Sequence, residues 1–142
     1  MTEVRPARHA AEVRAALALR HAVFVLEQRV PLDEEIDEDD DRALHLVAVD
    51  DGRVVGTCRL VAEGDTVKLG RLAVASTFRG RGLASRMVAE SEARARELGA
   101  TRIALAAQTE ALGLYSRFGY TAYGERFMDA GIEHQMMEKR LG

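Results

Sequence analysis

The chain has no tryptophan and only three tyrosines and four phenylalanines among its 142 residues. A nucleic-acid surface built on aromatic platforms is therefore not expected, and a net charge of −3 offers no basic excess to replace it. A single cysteine, Cys58, excludes an intramolecular disulfide and suits a reducing compartment. Flanked by Thr57 and Arg59 in an alternating stretch, it reads as a small strand residue rather than a nucleophile. No run approaches the roughly 20 apolar residues of a membrane span, and the N-terminus lacks the apolar core of a signal peptide. These absences give the expectation of a cytoplasmic protein with neither membrane nor nucleic acid as partner. No metal is expected either. His9, His21, His45 and His134 have no ligand spacing, and an EF-hand begun at Asp37 would put Arg42 at its glycine and Ala48 at its bidentate glutamate.

What is present describes an ordinary globular chain, 47% apolar and 30% charged, of a length that suits one domain over residues 1–142. Charge is unevenly spread. Eight of the nine residues from Asp33 to Asp41 are acidic, and without them the remainder is net basic. Such a run reads first as a solvated loop; its functional alternative is a rim that attracts a cationic acceptor.

Periodicity divides the rest. Thr2–Arg5 suits a short strand, and Ala10 to about Gln28 a helix, with Val13, Leu17, Ala18, Phe24 and Val25 at three- and four-residue steps. Strands follow over Leu44–Val49, Val54–Val61 and Thr66–Val74, joined by turns at Asp50-Asp51-Gly52-Arg53 and Glu63-Gly64-Asp65. A helix from Leu83 ends at Gly99, a strand covers Ile103–Ala107, and a short helix from about Glu110 to Phe118 stops at Gly119. Tyr120–Met128 and Glu133–Arg140 close the chain as a hairpin. The order β-α-β-β-β-α-β-α-β-β describes a mixed α/β sheet with helices on both faces.

The most informative segment is Arg79-Gly80-Arg81-Gly82-Leu83-Ala84. It joins a strand to a helix N-terminus, where free N–H groups and the helix dipole favour an anion. A P-loop would need Gly-Lys-Ser/Thr here, and no lysine follows the glycines. A dinucleotide fold would need a third glycine where Ser85 stands, and an acid ending the next strand, which instead finishes Ala106-Ala107-Gln108.

The whole pattern resembles the GNAT N-acetyltransferases. Leu72-Ala73-Val74 followed by Arg79-Gly80-Arg81-Gly82-Leu83-Ala84 resembles their coenzyme A signature. Gln108-x-x-Ala111-x-x-Leu114-Tyr115-x-x-Phe118-Gly119-Tyr120 is similar to a second family block, with Gln in place of the usual Asn. Leu19-Arg20-x-x-Val23-Phe24-Val25-x-Glu27-Gln28, Glu35-x-Asp37-x-x-Asp40-x-x-x-x-His45 and the closing Gly124-Glu125-x-Phe127-x-x-x-Gly131-Ile132-x-His134-x-x-Met137 resemble the ElaA/YjcF-like branch.

The resemblance implies a mostly antiparallel GNAT sheet, splayed between its fourth and fifth strands, and transfer of acetyl from acetyl-CoA to a primary amine by direct attack. Pantetheine would pair with backbone at Leu72 and Val74, beside Ala73, as an added strand would. Arg79 to Ala84 would wrap the pyrophosphate, and Gln108 and Tyr115 would meet the cofactor. Tyr115 is the family position for the general acid. Glu27, Glu35, Asp37, His45 and His134 are open candidates for the base, with an ordered water as the alternative; either histidine also reads as a satisfied structural one. Arg20 and Glu27, two helical turns apart, share a face, where they either line the acceptor side or form surface ion pairs; Arg20, Phe24, Asp37 and His134 are the residues expected to bind the acceptor. The partner would be a small-molecule or peptide amine. A homodimer through the edge of the closing hairpin is a further expectation. Two other readings remain: a non-catalytic acyl-CoA sensor, which would have no use for Tyr115, and an acyl-homoserine-lactone synthase, whose chains are longer and carry a tryptophan soon after the phenylalanine.

Overall fold

Strand alternation fixes which helix each face receives. In the computed structural model, which describes residues 1–142, β2 (Leu44–Asp50) and β3 (Arg53–Glu63) pair antiparallel, with Leu46 opposite Cys58 and His45 opposite Arg59. Leu46 and Cys58 point to one face, where Cys58 Sγ lies 3.4 Å from Ser91 Oγ on α3 (Leu83–Glu97). His45 and Arg59 point to the other, on the side of α1 (Ala10–Arg20), whose Arg20 shares Asp40 with Arg59. Met87 and Val88 of α3 share one core cluster with Leu46, Leu60, Ile103 and Met137 of the strands.

β1 (Thr2–Pro6), β4 (Thr66–Val74), β5 (Arg102–Gln108), β6 (Thr121–Asp129) and β7 (Ile132–Arg140) complete a seven-stranded sheet in the order β1-β2-β3-β4-β5-β7-β6. All neighbours are antiparallel except β4 and β5. That parallel pair holds from Thr66–Arg102 to Leu69–Leu105 and stops, although β4 runs on to Val74 and β5 to Gln108. The sheet therefore opens in a V at its centre. β4 also leaves register with β3 between Thr57 and Arg59, where Arg71 adopts φ +55°. A left-handed backbone at a non-glycine residue costs roughly 1–3 kcal/mol and persists only where its surroundings impose it.

Two features differ from the sequence expectation. The helix begun at Ala10 does not run uniformly to Gln28: after Arg20 it becomes a π-helical turn, His21–Glu27, with the Gln28 N–H bonded back to the Val23 carbonyl. The wider turn shifts the angular phase, so Arg20 and Glu27 do not share a face. Arg20 points into the protein and Glu27 out to solvent. The acidic run is also no solvated loop. It folds as α2 (Leu32–Glu35) and a 3₁₀ turn, Glu38–Asp41, capped by Asp37, and it supplies counter-charges to four arginines, one of them the exposed Arg42, which pairs with Asp39. Arg20, 1% exposed, is held by Glu35 and Asp40; Arg59 by Asp37 and Asp40; Arg71 by Glu35 and Asp37. No helix is long and apolar enough to cross a membrane.

Candidate active site

The V between β4 and β5 opens into a cavity of about 630 Å³. Gly70, Arg71 and Leu72 line it from β4, and Ala106, Ala107 and Gln108 from β5. Beyond it lies Val74. The Ala75 N–H bonds the Val55 carbonyl on β3, so by strand alternation the N–H and C=O of Val74 face away from β3, toward the opening. Its carbonyl accepts a 3.0 Å bond from Arg79 Nε, and its N–H faces where β5 would have continued.

The glycine turn sits at this edge. Gly80 and Gly82 have φ +77° and +76°. Nothing lies within 4 Å of a Cβ built at either position, so backbone conformation and not crowding selects glycine. Gly82 caps α3, leaving the N–H groups of Leu83, Ala84 and Ser85 without helical partners. Arg81 lies over the Phe78 ring, 4.8 Å from its centroid. Leu83 is buried against Gly56, where an added Cβ would meet Leu83 Cδ2 at 3.3 Å; that close approach seats the helix start on the sheet.

Tyr115, on α4 (Leu112–Arg117), is 7% exposed and lines the cavity. Its ring meets Tyr120 edge-on at 5.8 Å, and Tyr120 is anchored in turn, its hydroxyl donating to Glu92, which also accepts from Lys139. No protein group hydrogen-bonds the Tyr115 hydroxyl, and no fully buried side-chain polar atom lacks a partner, so this hydroxyl faces the cavity. Burial, with a contribution from Cys58, pushes its pKa far above the usual phenol value and keeps it protonated.

The candidates for the base separate clearly. Glu27 lies outside the cavity, in an exposed pair with Arg79 at 2.8 Å that holds its carboxyl below the usual range. His45 is buried on the α1 face with Nε2 against the Asp40 carbonyl at 3.0 Å. Glu35 and Asp37 border the cavity but are bound by arginines. His134 also lines the cavity, stacked on Phe127. Its Nδ1 is 2.7 Å from the Ile132 carbonyl; a carbonyl only accepts, so Nδ1 carries a proton, and the neutral form of the ring has its lone pair on Nε2.

Of the expected acceptor residues, Phe24, Asp37 and His134 line the cavity. Arg20 stands behind its wall and does not reach the interior. Gln108 meets Gln28 across the opening, its Nε2 donating to Gln28 Oε1 at 2.8 Å. Gln28 and Arg71 are site residues that the sequence reading did not assign. A signal for Arg71 was there, since it is the charge that interrupts the apolar run Leu69–Val74. No group of three or more His, Cys, Asp or Glu side chains is placed to hold a metal ion.

A family model described as an acetyltransferase (GNAT) domain matches residues 10–141. The chain belongs to the GNAT acetyltransferases. Within that family it is 36% identical over 134 residues to the uncharacterized N-acetyltransferase YjcF of Bacillus subtilis, covering 94% of this chain and 96% of YjcF. An acyl-CoA N-acyltransferase from Pseudomonas aeruginosa superposes with a TM-score of 0.86 at 28% identity, over 98% of each chain. Escherichia coli ElaA shares the fold with a TM-score of 0.85 at 24% identity, over 96% of this chain and 99% of ElaA. The ElaA/YjcF-like branch is thus the one this GNAT enzyme joins, and its splayed sheet is the acyl-CoA N-acyltransferase fold.

Proposed function

We propose that the protein transfers acetyl from acetyl-CoA to a primary amine by direct attack, with Tyr115 as general acid and His134 as general base. One observation carries this reading: the unpaired backbone of β4 and an unpartnered, protonated Tyr115 hydroxyl border the same cavity. The residues present suit coenzyme A. Leu72 and Val74 offer strand-edge groups to pantetheine, with Ala73 between them, and Gln108 lies at the mouth. Arg79, Gly80, Arg81, Gly82, Leu83 and Ala84 offer backbone N–H groups and two cations to the pyrophosphate.

Bound acetyl-CoA supplies a thioester carbonyl open to nucleophiles. The Val74 N–H, turned toward the opening, is a donor that could polarise that carbonyl oxygen. His134 Nε2 accepts the proton that the attacking nitrogen must lose. Tyr115 holds a proton for the departing sulfur. An isolated phenol is a weaker acid than a thiol, but burial also raises the proton affinity of a thiolate formed beside it.

Thiol release from acetyl-CoA across a panel of amines tests the reaction. Tyr115→Phe should lower kcat by about 10²- to 10⁴-fold, the span of general acid catalysis, while coenzyme A affinity measured by calorimetry holds. An unchanged kcat removes Tyr115 from the mechanism.

A further inference from the structure

Five carboxylates border the cavity: Asp33, Glu34, Glu35, Asp37 and Asp129. Its only arginine or lysine is Arg71, bound to Glu35 and Asp37. Glu35 and Asp37 are further neutralised by Arg20 and Arg59. Asp33, Glu34 and Asp129 differ. None of their side chains takes part in any of the protein's ion pairs; the Glu34 backbone carbonyl, not its carboxylate, meets Arg71. They come from two separate walls, Asp33 and Glu34 from α2 and Asp129 from the end of β6.

An independent feature of the same cavity points to a ligand: the Tyr115 hydroxyl, on a side chain more than nine-tenths buried, faces it without a partner. The reacting nitrogen itself gains nothing from free carboxylates. It must be neutral to attack, and a nearby anion favours its charged form. Uncompensated acids on the walls are useful to a second nitrogen, one that stays charged through the reaction.

We propose that the acceptor is an aliphatic diamine or polyamine, whose non-reacting ammonium is held by Asp33, Glu34 and Asp129 while its other amine takes the acetyl group. This rests on the acetyl-transfer reading above. The neutral amine forms a C–N bond to the acetyl carbon as the C–S bond breaks. The proton lost from nitrogen passes to His134 Nε2, the sulfur takes the Tyr115 proton, and the second ammonium is unchanged.

The test compares 1,4-diaminobutane with n-butylamine. Calorimetry on the coenzyme A-saturated protein should find the diamine bound about tenfold tighter or more, a preference that weakens as salt rises. In the triple variant Asp33→Asn, Glu34→Gln, Asp129→Asn the preference should fall toward one. These side chains are exposed and make no hydrogen bonds, so the variant keeps its fold, which circular dichroism checks. Equal binding of the two amines, or a preference the triple variant retains, overturns the inference. Preferential binding of the diamine with no acetyl transfer to any amine leaves the ammonium site at Asp33, Glu34 and Asp129 standing, and removes both the catalytic reading and the diamine's part as acceptor. Acetylation of both amines with equal kcat/KM does the reverse.

Discussion

Gly82 separates two demands that a single residue can meet. Its backbone must be left-handed to turn the chain into α3, and it must leave N–H groups exposed at the helix start. A Cβ there meets no neighbour, so Gly82→Val should fold with a penalty of about 1–2 kcal/mol, set by backbone conformation alone. Relaxing that strain would re-aim the N–H groups, and coenzyme A affinity measured by calorimetry should fall at least tenfold. Retained affinity would place the pyrophosphate elsewhere. The glycines and Tyr115 could be read from sequence because each is tied to a local pattern: strand, turn, helix start, short helix. The proposed base was not local. Glu27, His45 and His134 are all residue types that can take up a proton, and the Nδ1 contact to Ile132 and the position beside the cavity set His134 apart.

At the scale of elements, the acidic run and β4 hold one another. Arg71 donates to the Glu34 and Glu35 carbonyls and to the Glu35 carboxylate, fastening the short helix α2 onto the bulge that precedes Leu72. Glu35→Ala would leave Arg20 and Arg71 short of a buried partner and should lower stability by about 3 kcal/mol or more, measured by urea denaturation. Smaller losses would mean that Asp40 and water suffice. Acid should act on the same elements. Burial pushes the Asp40 carboxyl up, but bonds and attraction to Arg20 more than offset it, and Arg59 holds Asp37 down; both stay below the usual carboxylate range. Carboxyls depressed in the folded state contribute stability that is present in full well above the ordinary value near 3.8 and is lost as pH falls through the folded ones. The melting temperature should therefore hold from neutrality to about pH 5 and drop below about pH 4, with a shallower drop in Asp40→Asn. Strand alternation made β2, β3 and β4 evident in the sequence. The network was hidden because Arg59 and Arg71 lie 22 and 34 residues from their shared Asp37, and helical periodicity carries no mark of a π turn.

For the molecule as a whole, binding and stability are linked through the opening in the sheet. Coenzyme A at a hundred times its dissociation constant should add about 2.7 kcal/mol of stability, or roughly 5–10 °C in melting temperature for a chain of this size, read by calorimetric scanning. A shift of that size in the wild-type protein that falls by about half or more in Gly82→Val would tie it to the turn. The location of the opening has another consequence. Unpaired strand backbone is ordinarily a hazard, since another polypeptide can add to it and begin aggregation. Here the gap is interior, shut at Leu69–Leu105 and walled by the α1–α2 segment and the β6–β7 turn. A passing strand of a second protein has no path through it. A slender molecule entering tip first does, so the backbone left open for a ligand is shielded from the association that an open outer edge would invite.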